Sequence, residues 1–215
     1  EINEERETKP VASNQLKLRL DNLRTFQPLT DNQKTFFDAY RQGDYFIALH
    51  GVAGTGKTFL AIALALEQVL NDHEHYKKII ILRSSVATRE LGFLKGNAKE
   101  KMHVYEAPYN EIFTKLFNRG DAYEYLKRKG IVDFESSSYL RGLTFDNTII
   151  IVDESENHNF HELDTIYTRL GDNSKIVFCG DYRQSDFKQK YEKDGILNFM
   201  RIMEKLDNVS LIEFD

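Results

Sequence analysis

The stretch from residue 51 to 58 has the residue types and spacing that bind nucleotide phosphates. It matches the pattern GxxxxGK[ST] without a gap, and its residues are Gly51, Val52, Ala53, Gly54, Thr55, Gly56, Lys57 and Thr58. Glycines let the backbone approach a phosphate closely, so that loop N–H groups and the positive end of the next helix point at its oxygens. We expect Lys57 to reach the β- and γ-phosphates and Thr58 to bind Mg²⁺, with Phe59 next in this nucleotide-binding segment.

Two acids follow a second apolar run, Ile149 to Val152. Because the carboxyl ends of parallel strands meet at one edge of a sheet, Asp153 and Glu154 are expected to face the same crevice as the phosphate loop, as a Walker B element does. Asp153 then holds Mg²⁺, and Glu154 orients or deprotonates the attacking water. Acids at strand ends also often simply meet solvent, but the neighbouring loop favours the catalytic interpretation.

Two glutamines are candidates for reading the nucleotide. Gln184 ends the segment that begins at Gly180, where an amide could hydrogen-bond the γ-phosphate or the attacking water. By itself this segment is an ordinary Gly-Asp turn, and its order after the other motifs favours the sensor. Gln33 fits a capping box that begins at Thr30, and its position upstream of the phosphate loop equally suits a residue that reads the base.

The elements that must position these residues predict an α/β fold, with a parallel sheet covered by helices on both faces. Strand-like apolar runs alternate with helical stretches. The predicted strands are 45–49, 78–82, 131–134, 148–152, 175–179 and 209–214, and the predicted helices are 59–70, 98–117, a stretch around 166, and 196–206. Thr30 and Gly43 bracket one more helix. Residues 1–27 are predicted to be a flexible or extended arm, and 28–215 a single domain.

The composition restricts the cellular location and the disulfide content that the protein can have. No apolar run approaches the length of a membrane span and no signal-like segment begins the chain, which indicates a cytoplasmic protein without a membrane partner. Cys179 is the only cysteine, so an internal disulfide is excluded, and we interpret it as a small buried residue. The chain begins at Glu1 rather than methionine, which leaves open whether it is a piece of a longer protein.

Basic residues concentrate between Arg83 and Lys101, where five positive side chains stand against two negative ones and Phe93 is available for stacking. A basic groove with aromatic side chains suits single-stranded nucleic acid, and residues 127–129 form a second basic patch. Each could equally be a solvated face, since the net charge of −5 does not indicate nucleic-acid binding. His158 and His161 are more typical of a polar surface than of a metal site.

Together these motifs resemble the PhoH-like family, a branch of P-loop ATPases similar to the RecA-like core of superfamily 1 helicases. The resemblance covers about residues 29–214 and keeps the family's motif order. LGFLKG at 91–96 is similar to LGFLPG, 139–145 resembles MRGRT, 153–157 resembles DEAQN, 168–171 resembles TRxG, and 180–186 resembles GDxxQxD.

The resemblance implies a RecA-like P-loop NTPase that hydrolyses ATP with Mg²⁺, binds single-stranded RNA or DNA and forms a homo-oligomeric ring such as a hexamer. It gives Gln33 the adenine-contacting role. A charge-neutralising arginine must be Arg141, Arg169 or Arg183, come from a neighbouring subunit, or lie beyond this sequence. The chain departs from the family at Lys95, Leu143 and Glu156, where the family has proline, arginine and glutamine; Glu156 is expected to repel phosphates unless it faces elsewhere.

Two other function classes share these motifs. A small-molecule kinase also needs a phosphate loop, but such kinases carry an arginine-rich lid that this sequence does not contain. A nucleotide-controlled binding or regulatory module of a larger protein needs the same loop without turnover.

Overall fold

The computed structural model describes residues 18–71, 75–84, 98–137, 140, 142–181 and 190–214. Six parallel strands form one sheet in the order β3-β2-β4-β5-β1-β6. The strands are β1 Phe46–His50, β2 Lys78–Arg83, β3 Val132–Ser136, β4 Thr148–Asp153, β5 Lys175–Gly180 and β6 Val209–Glu213. The helices are α1 Asp31–Gln42, α2 Lys57–Asn71, α3 Ala98–Phe117, α4 Ala122–Arg128, α5 Phe160–Tyr167 and α6 Lys190–Met203. The predicted α/β fold, a parallel sheet with helices on both faces, is confirmed.

Alternate residues of each central strand enter opposite cores, because successive side chains of a strand point to opposite faces. Ile79 and Ile81 of β2 pack with α1 to α4, whereas Ile80 and Leu82 pack with α5 and α6. Both faces are therefore buried, which explains why the central strands are continuous apolar runs. Among the described residues, no helix combines the length and apolar character that crossing a membrane demands.

The predicted limits of α1 are confirmed by its caps. The Thr30 hydroxyl accepts a hydrogen bond from the Gln33 N–H, and Gly43 ends the helix at φ 98°. A glycine suits that left-handed position, since it has no Cβ to clash with the backbone. The sequence did not predict α4, a short helix that is stabilised by packing on α3 and β3.

The last part of the predicted arm packs on the domain. Leu18 and Leu23 are buried in the same core as α2, and the Arg24 N–H donates to the Leu116 carbonyl at 2.9 Å. A single-turn 3-10 helix at Leu20–Asn22 lies against α2. The leucines explain this packing, because burying them removes apolar surface from water.

The carboxyl ends of the central strands meet at one edge of the sheet. His50 of β1 lies beside Gly180 of β5, and Cys179 of β5 lies beside Asp153 of β4. Leu82, one residue before the end of β2, lies beside Val152 of β4. The ends of four strands thus bring the loops that follow them into one crevice.

Candidate active site

The loop between β1 and α2 has the backbone of a phosphate cradle. Gly51, Gly54 and Gly56 have φ angles of 139°, 85° and 86°, in the left-handed region that favours glycine. A Cβ at Gly51 would collide with the carbonyl oxygen of Phe214, the residue that follows β6. The pattern of glycines at this turn is therefore required by the fold as well as by any phosphate.

Lys57, the first residue of α2, points back into this loop. Its ammonium donates to the carbonyl oxygens of Gly51 and Val52, each at 2.8 Å, and to the Thr55 hydroxyl at 3.2 Å. The residue is only 8% exposed. A positive charge is thus held inside the cradle by acceptors that phosphate oxygens can replace.

Thr58 and Asp153 meet across the crevice. The Thr58 hydroxyl donates to one carboxylate oxygen of Asp153 at 2.6 Å, and the Tyr109 hydroxyl of α3 donates to the other at 2.8 Å. Burial, followed by the charge of Asp153, raises the pKa of Tyr109 well above its usual value. This tyrosine therefore stays a hydrogen-bond donor to the carboxylate.

Glu154 follows β4 in a left-handed conformation, with φ 49° and ψ 47°. Such a conformation is uncommon for a residue other than glycine, asparagine or aspartate, and strained backbone of this kind clusters at functional sites. Its carboxylate forms an ion pair with Arg83, the last residue of β2. The Arg83 guanidinium carbon also lies 5.5 Å from the centre of the Tyr105 ring.

Arg83 was predicted to belong to an exposed basic surface, and that prediction is wrong. Its side chain is 11% exposed and pairs with Glu154. Because β2 borders β4 in the sheet, the end of β2 delivers this arginine to the acids. The stretch 85–97 lies outside the described residues, and so do the side chains of 98–103. Lys127, of the second basic patch, is likewise paired with Glu106 of α3.

Glu156 lines the crevice beside these acids. Its carboxylate accepts a hydrogen bond from the Asp181 N–H at 3.1 Å, and a Cβ at Gly180 would collide with that carboxylate. Burial, more than the nearby charges of Asp153 and Asp181, raises the pKa of Glu156 to about 7. The expected acid therefore does face the crevice, but it holds its proton over much of the pH range in which an ordinary carboxyl is charged.

We expect Glu156→Gln to stabilise the fold at pH 8 by on the order of 2 kcal/mol. With the pKa raised from 4.5 to about 7, the stability contributed by this group is full below pH 4.5 and lost as the pH rises to about 7. Urea unfolding at pH 4.5 and pH 8 measures the effect, which should vanish at the lower pH. Glu204→Gln, at an exposed position, is the matched control. An equal gain at both pH values would contradict this account.

The crevice between the loop and the acids has a volume of about 340 Å³. Most of the predicted site residues for which side chains are described meet there. Its lining comprises Ala53, Gly54, Gly56, Lys57, Thr58, Phe59, Asp153, Glu154, Glu156, Cys179, Gly180 and Asp181. Cys179 is buried as predicted, and burial raises the pKa of its thiol.

Two further residues of the predicted nucleotide site are Phe59 and Gln33. Phe59 lines the crevice, and its ring makes an edge-to-face contact with Phe26 at 4.9 Å between centres. The Gln33 side-chain oxygen accepts the Leu29 N–H at 2.8 Å, which is a capping contact of the kind that the sequence left open. Contact of Gln33 with adenine stays a prediction.

Arg169 lies at the edge of the sheet formed by the amino ends of the strands, opposite the crevice. It follows α5, and its carbonyl accepts the Phe145 N–H ahead of the amino ends of β4 and β5. Within one chain it is therefore placed away from Lys57, contrary to the prediction that it binds the nucleotide of its own subunit. The resemblance of residues 168–171 to TRxG implied the nucleotide-binding role of Arg169. A sequence motif does not specify at which end of the parallel strands its residues lie. Arg141, Arg183 and Gln184 lie outside the described residues.

The oxygen donors of Thr58 and Asp153 suit Mg²⁺, which prefers hard oxygen ligands and is usually held by one or two carboxylates together with substrate phosphates. In the described part of the chain, no group of three or more His, Cys, Asp or Glu residues could form a metal cage.

His158 is fully buried rather than on the surface, because it packs at the end of the turn before α5, and burial lowers its pKa to about 4.

Sequence reasoning missed the functional positions of Tyr109 and Arg83. Tyr109 carries no local signal beyond a large aromatic residue in a predicted helix. For Arg83 there was a signal, since it directly follows an apolar run and must emerge at the same edge as Asp153.

Comparison with known proteins gives one family. A family model described as PhoH-like protein matches residues 25–215. The chain is similar to a PhoH-like protein of Bacillus subtilis (strain 168), with 35% identity over 187 residues that cover 86% of this chain and 57% of that protein. It is also similar to Protein PhoH of Escherichia coli (strain K12), with 30% identity covering 70% of this chain and 46% of the relative. The chain thus spans about half the length of these curated relatives.

Solved structures resemble it more distantly. The large terminase of a thermophilic bacteriophage aligns with a TM-score of 0.47 at 14% identity, covering 87% of this chain and 46% of that one. Unliganded Pif1 from Bacteroides sp aligns with a TM-score of 0.40 at 15% identity, covering 88% and 42%.

Proposed function

Because the chain belongs to the PhoH-like family, we propose that it binds ATP with Mg²⁺ at this crevice and hydrolyses it. The observation that carries the proposal is the hydrogen bond of 2.6 Å between Thr58 and Asp153. It joins the phosphate loop to the acidic strand end, and these are the two parts of a P-loop NTPase that bind the metal. A glycine-rich turn with no ligand has no need of that arrangement.

The residues of the phosphate loop and of the acidic strand end have distinct roles in the proposed reaction. The loop N–H groups and Lys57 bind the β- and γ-phosphates and neutralise their charge. Thr58 and Asp153 would hold Mg²⁺, which when bound offsets charge on the phosphate oxygens. Glu154 accepts a proton from the attacking water, or orients that water for in-line attack on the γ-phosphorus, while the bond from the γ-phosphorus to the β–γ bridging oxygen breaks and ADP leaves. Gln184 is the proposed sensor of the γ-phosphate.

The site lacks a described arginine that faces the phosphates. Arg83 is occupied with Glu154, and its strand lies three positions from β1, or about 14 Å at the usual strand spacing. Arg169 lies at the opposite edge of the sheet, where a neighbouring subunit could receive it. We therefore keep a homo-oligomeric ring, such as a hexamer, as part of the proposal. A chain that sediments as a monomer and has full ATPase activity would contradict the proposed ring.

We also propose that ATP hydrolysis is coupled to the binding of single-stranded RNA or DNA. This proposal rests on the family and on the basic residues of 85–101, since Arg83 is buried with Glu154.

The alternative functions are a small-molecule kinase and a nucleotide-controlled regulatory module of a larger protein. ATP consumption that requires a metabolite would favour the kinase, and ATP binding without phosphate release would favour the module. A cytoplasmic location also stays a prediction.

Phosphate release from ATP tests the proposed function. We expect release that requires Mg²⁺, is lost in EDTA, and rises on addition of single-stranded RNA or DNA. The stimulation should fade over a salt series, because nucleic-acid contacts with Lys and Arg release counterions. Phosphate release that neither polynucleotide changes would support the ATPase activity and contradict the nucleic-acid partner.

A further inference from the structure

Helix α3 contacts one acid of the proposed hydrolysis site directly and the other through an arginine, by means of two tyrosines one turn apart. Residues four apart on a helix lie on the same face, so Tyr105 and Tyr109 face the acids together. Tyr109 contacts Asp153 directly, whereas Tyr105 reaches Glu154 through Arg83. We propose that Tyr109 is the positioning residue for the metal-binding carboxylate and that Tyr105, through Arg83, positions the catalytic one. This inference rests on the proposed function.

The Tyr109 contact fixes the rotation of the Asp153 carboxylate. One oxygen accepts the Tyr109 hydroxyl and the other accepts the Thr58 hydroxyl, so the carboxylate is held at both ends. Tyr109 is 1% exposed, and its ring packs on Phe134 of β3 with 5.6 Å between centres. A donor locked by packing in this way orients its acceptor more firmly than a mobile surface side chain can. Hydrogen bonds to metal-binding carboxylates raise metal affinity for this reason.

The Tyr105 contact acts one step further from the reaction. Its ring lies beside the Arg83 guanidinium, which is 11% exposed at the side chain and pairs with Glu154. A cation on an aromatic face loses freedom to move, so the ring keeps Arg83 in place. Arg83 in turn limits where the Glu154 carboxylate can stand. The two chains of contact make α3 a common support for Asp153 and Glu154.

Tyr109→Phe removes the hydroxyl and keeps the packed ring. We expect Mn²⁺, used as a spectroscopic substitute for Mg²⁺, to bind the ATP complex about 10-fold more weakly. ATP affinity in EDTA should stay at the wild-type value, because the phosphate loop is unchanged. The measurements are Mn²⁺ binding by electron paramagnetic resonance and nucleotide binding by fluorescence.

Tyr123→Phe is the matched control for Tyr109→Phe. Tyr123 of α4 is also 1% exposed, and its hydroxyl donates to a carboxylate, that of Glu106, at 2.7 Å. It touches neither acid of the site, so we expect wild-type Mn²⁺ affinity. Equal Mn²⁺ affinity in Tyr109→Phe and the wild type would overturn the inference, and so would equal weakening in Tyr109→Phe and Tyr123→Phe.

Tyr105→Leu is the second test variant, and it tests the inference independently if Tyr109→Phe does not fold. We expect kcat to fall about 3-fold, the size of a cation–π contact, with KM for ATP unchanged. Tyr105→Phe keeps the ring and should rescue that loss. A wild-type kcat in Tyr105→Leu would overturn the positioning role of Tyr105. A wild-type chain that binds neither ATP nor Mn²⁺ would instead remove the proposed function, which separates the two failures.

Discussion

Glu154→Gln is expected to lower ATP turnover about 100-fold or more while ATP binding stays within a few-fold of the wild type. A positioned general base contributes about 10²- to 10⁴-fold to the rate of such a reaction, and the amide cannot accept the proton. Glutamine keeps the shape of the side chain and the left-handed backbone of residue 154, where φ is 49°. The loss therefore reports the charge and basicity of the carboxylate, including its ion pair with Arg83, rather than relief of strain. Single-turnover phosphate release and fluorescent nucleotide binding measure the two quantities.

Glu156→Gln is the matched control for this experiment. It makes the same chemical change two residues away, in the same crevice. Because Glu156 holds its backbone hydrogen bond from Asp181 rather than a place among the proposed metal ligands, we expect turnover within a few-fold of the wild type. Turnover that survives in Glu154→Gln would show that Glu154 is not the base.

Lys57→Met is expected to weaken ATP binding by about 100-fold. Hydrogen bonds to charged groups contribute about 1.5–3 kcal/mol each, and a loss of about 3 kcal/mol corresponds to roughly 100-fold in affinity. The lysine is already directed into the loop by its contacts with the carbonyls of Gly51 and Val52, so no refolding is needed for it to meet a phosphate. Calorimetric titration of ATP measures the change.

Lys175→Met is the control for Lys57→Met. Lys175 is also buried, and its ammonium donates to the Tyr40 carbonyl at 2.7 Å, but it begins β5 at the opposite edge of the sheet. Both substitutions remove a buried ammonium from backbone acceptors, and thermal melting records the cost of each to the fold. Only Lys57→Met should change ATP affinity. An equal loss in both variants would mean that the effect is one of stability.

Several elements could be predicted to within a few residues because their signals are local. The central strands are continuous apolar runs, and the limits of α1 follow from the cap at Thr30 and the glycine at 43. The short helix α4 could not be predicted in this way, because its stability comes from contacts with α3 and β3. The packing of residues 18–27 depends in the same way on surfaces contributed by other elements.

The sequence by itself determined the phosphate loop, the acidic strand end and their common edge. Closely spaced glycines, a lysine and a hydroxyl set the local backbone chemistry, and parallel strands must end at one edge. Only the tertiary structure decided the partners across that edge. It placed Tyr109 on Asp153, paired Arg83 with Glu154, buried Glu156 enough to raise its pKa, and put Arg169 at the far edge. These contacts join residues far apart in the chain, and they depend on strand order and helix packing, which local residue patterns do not specify.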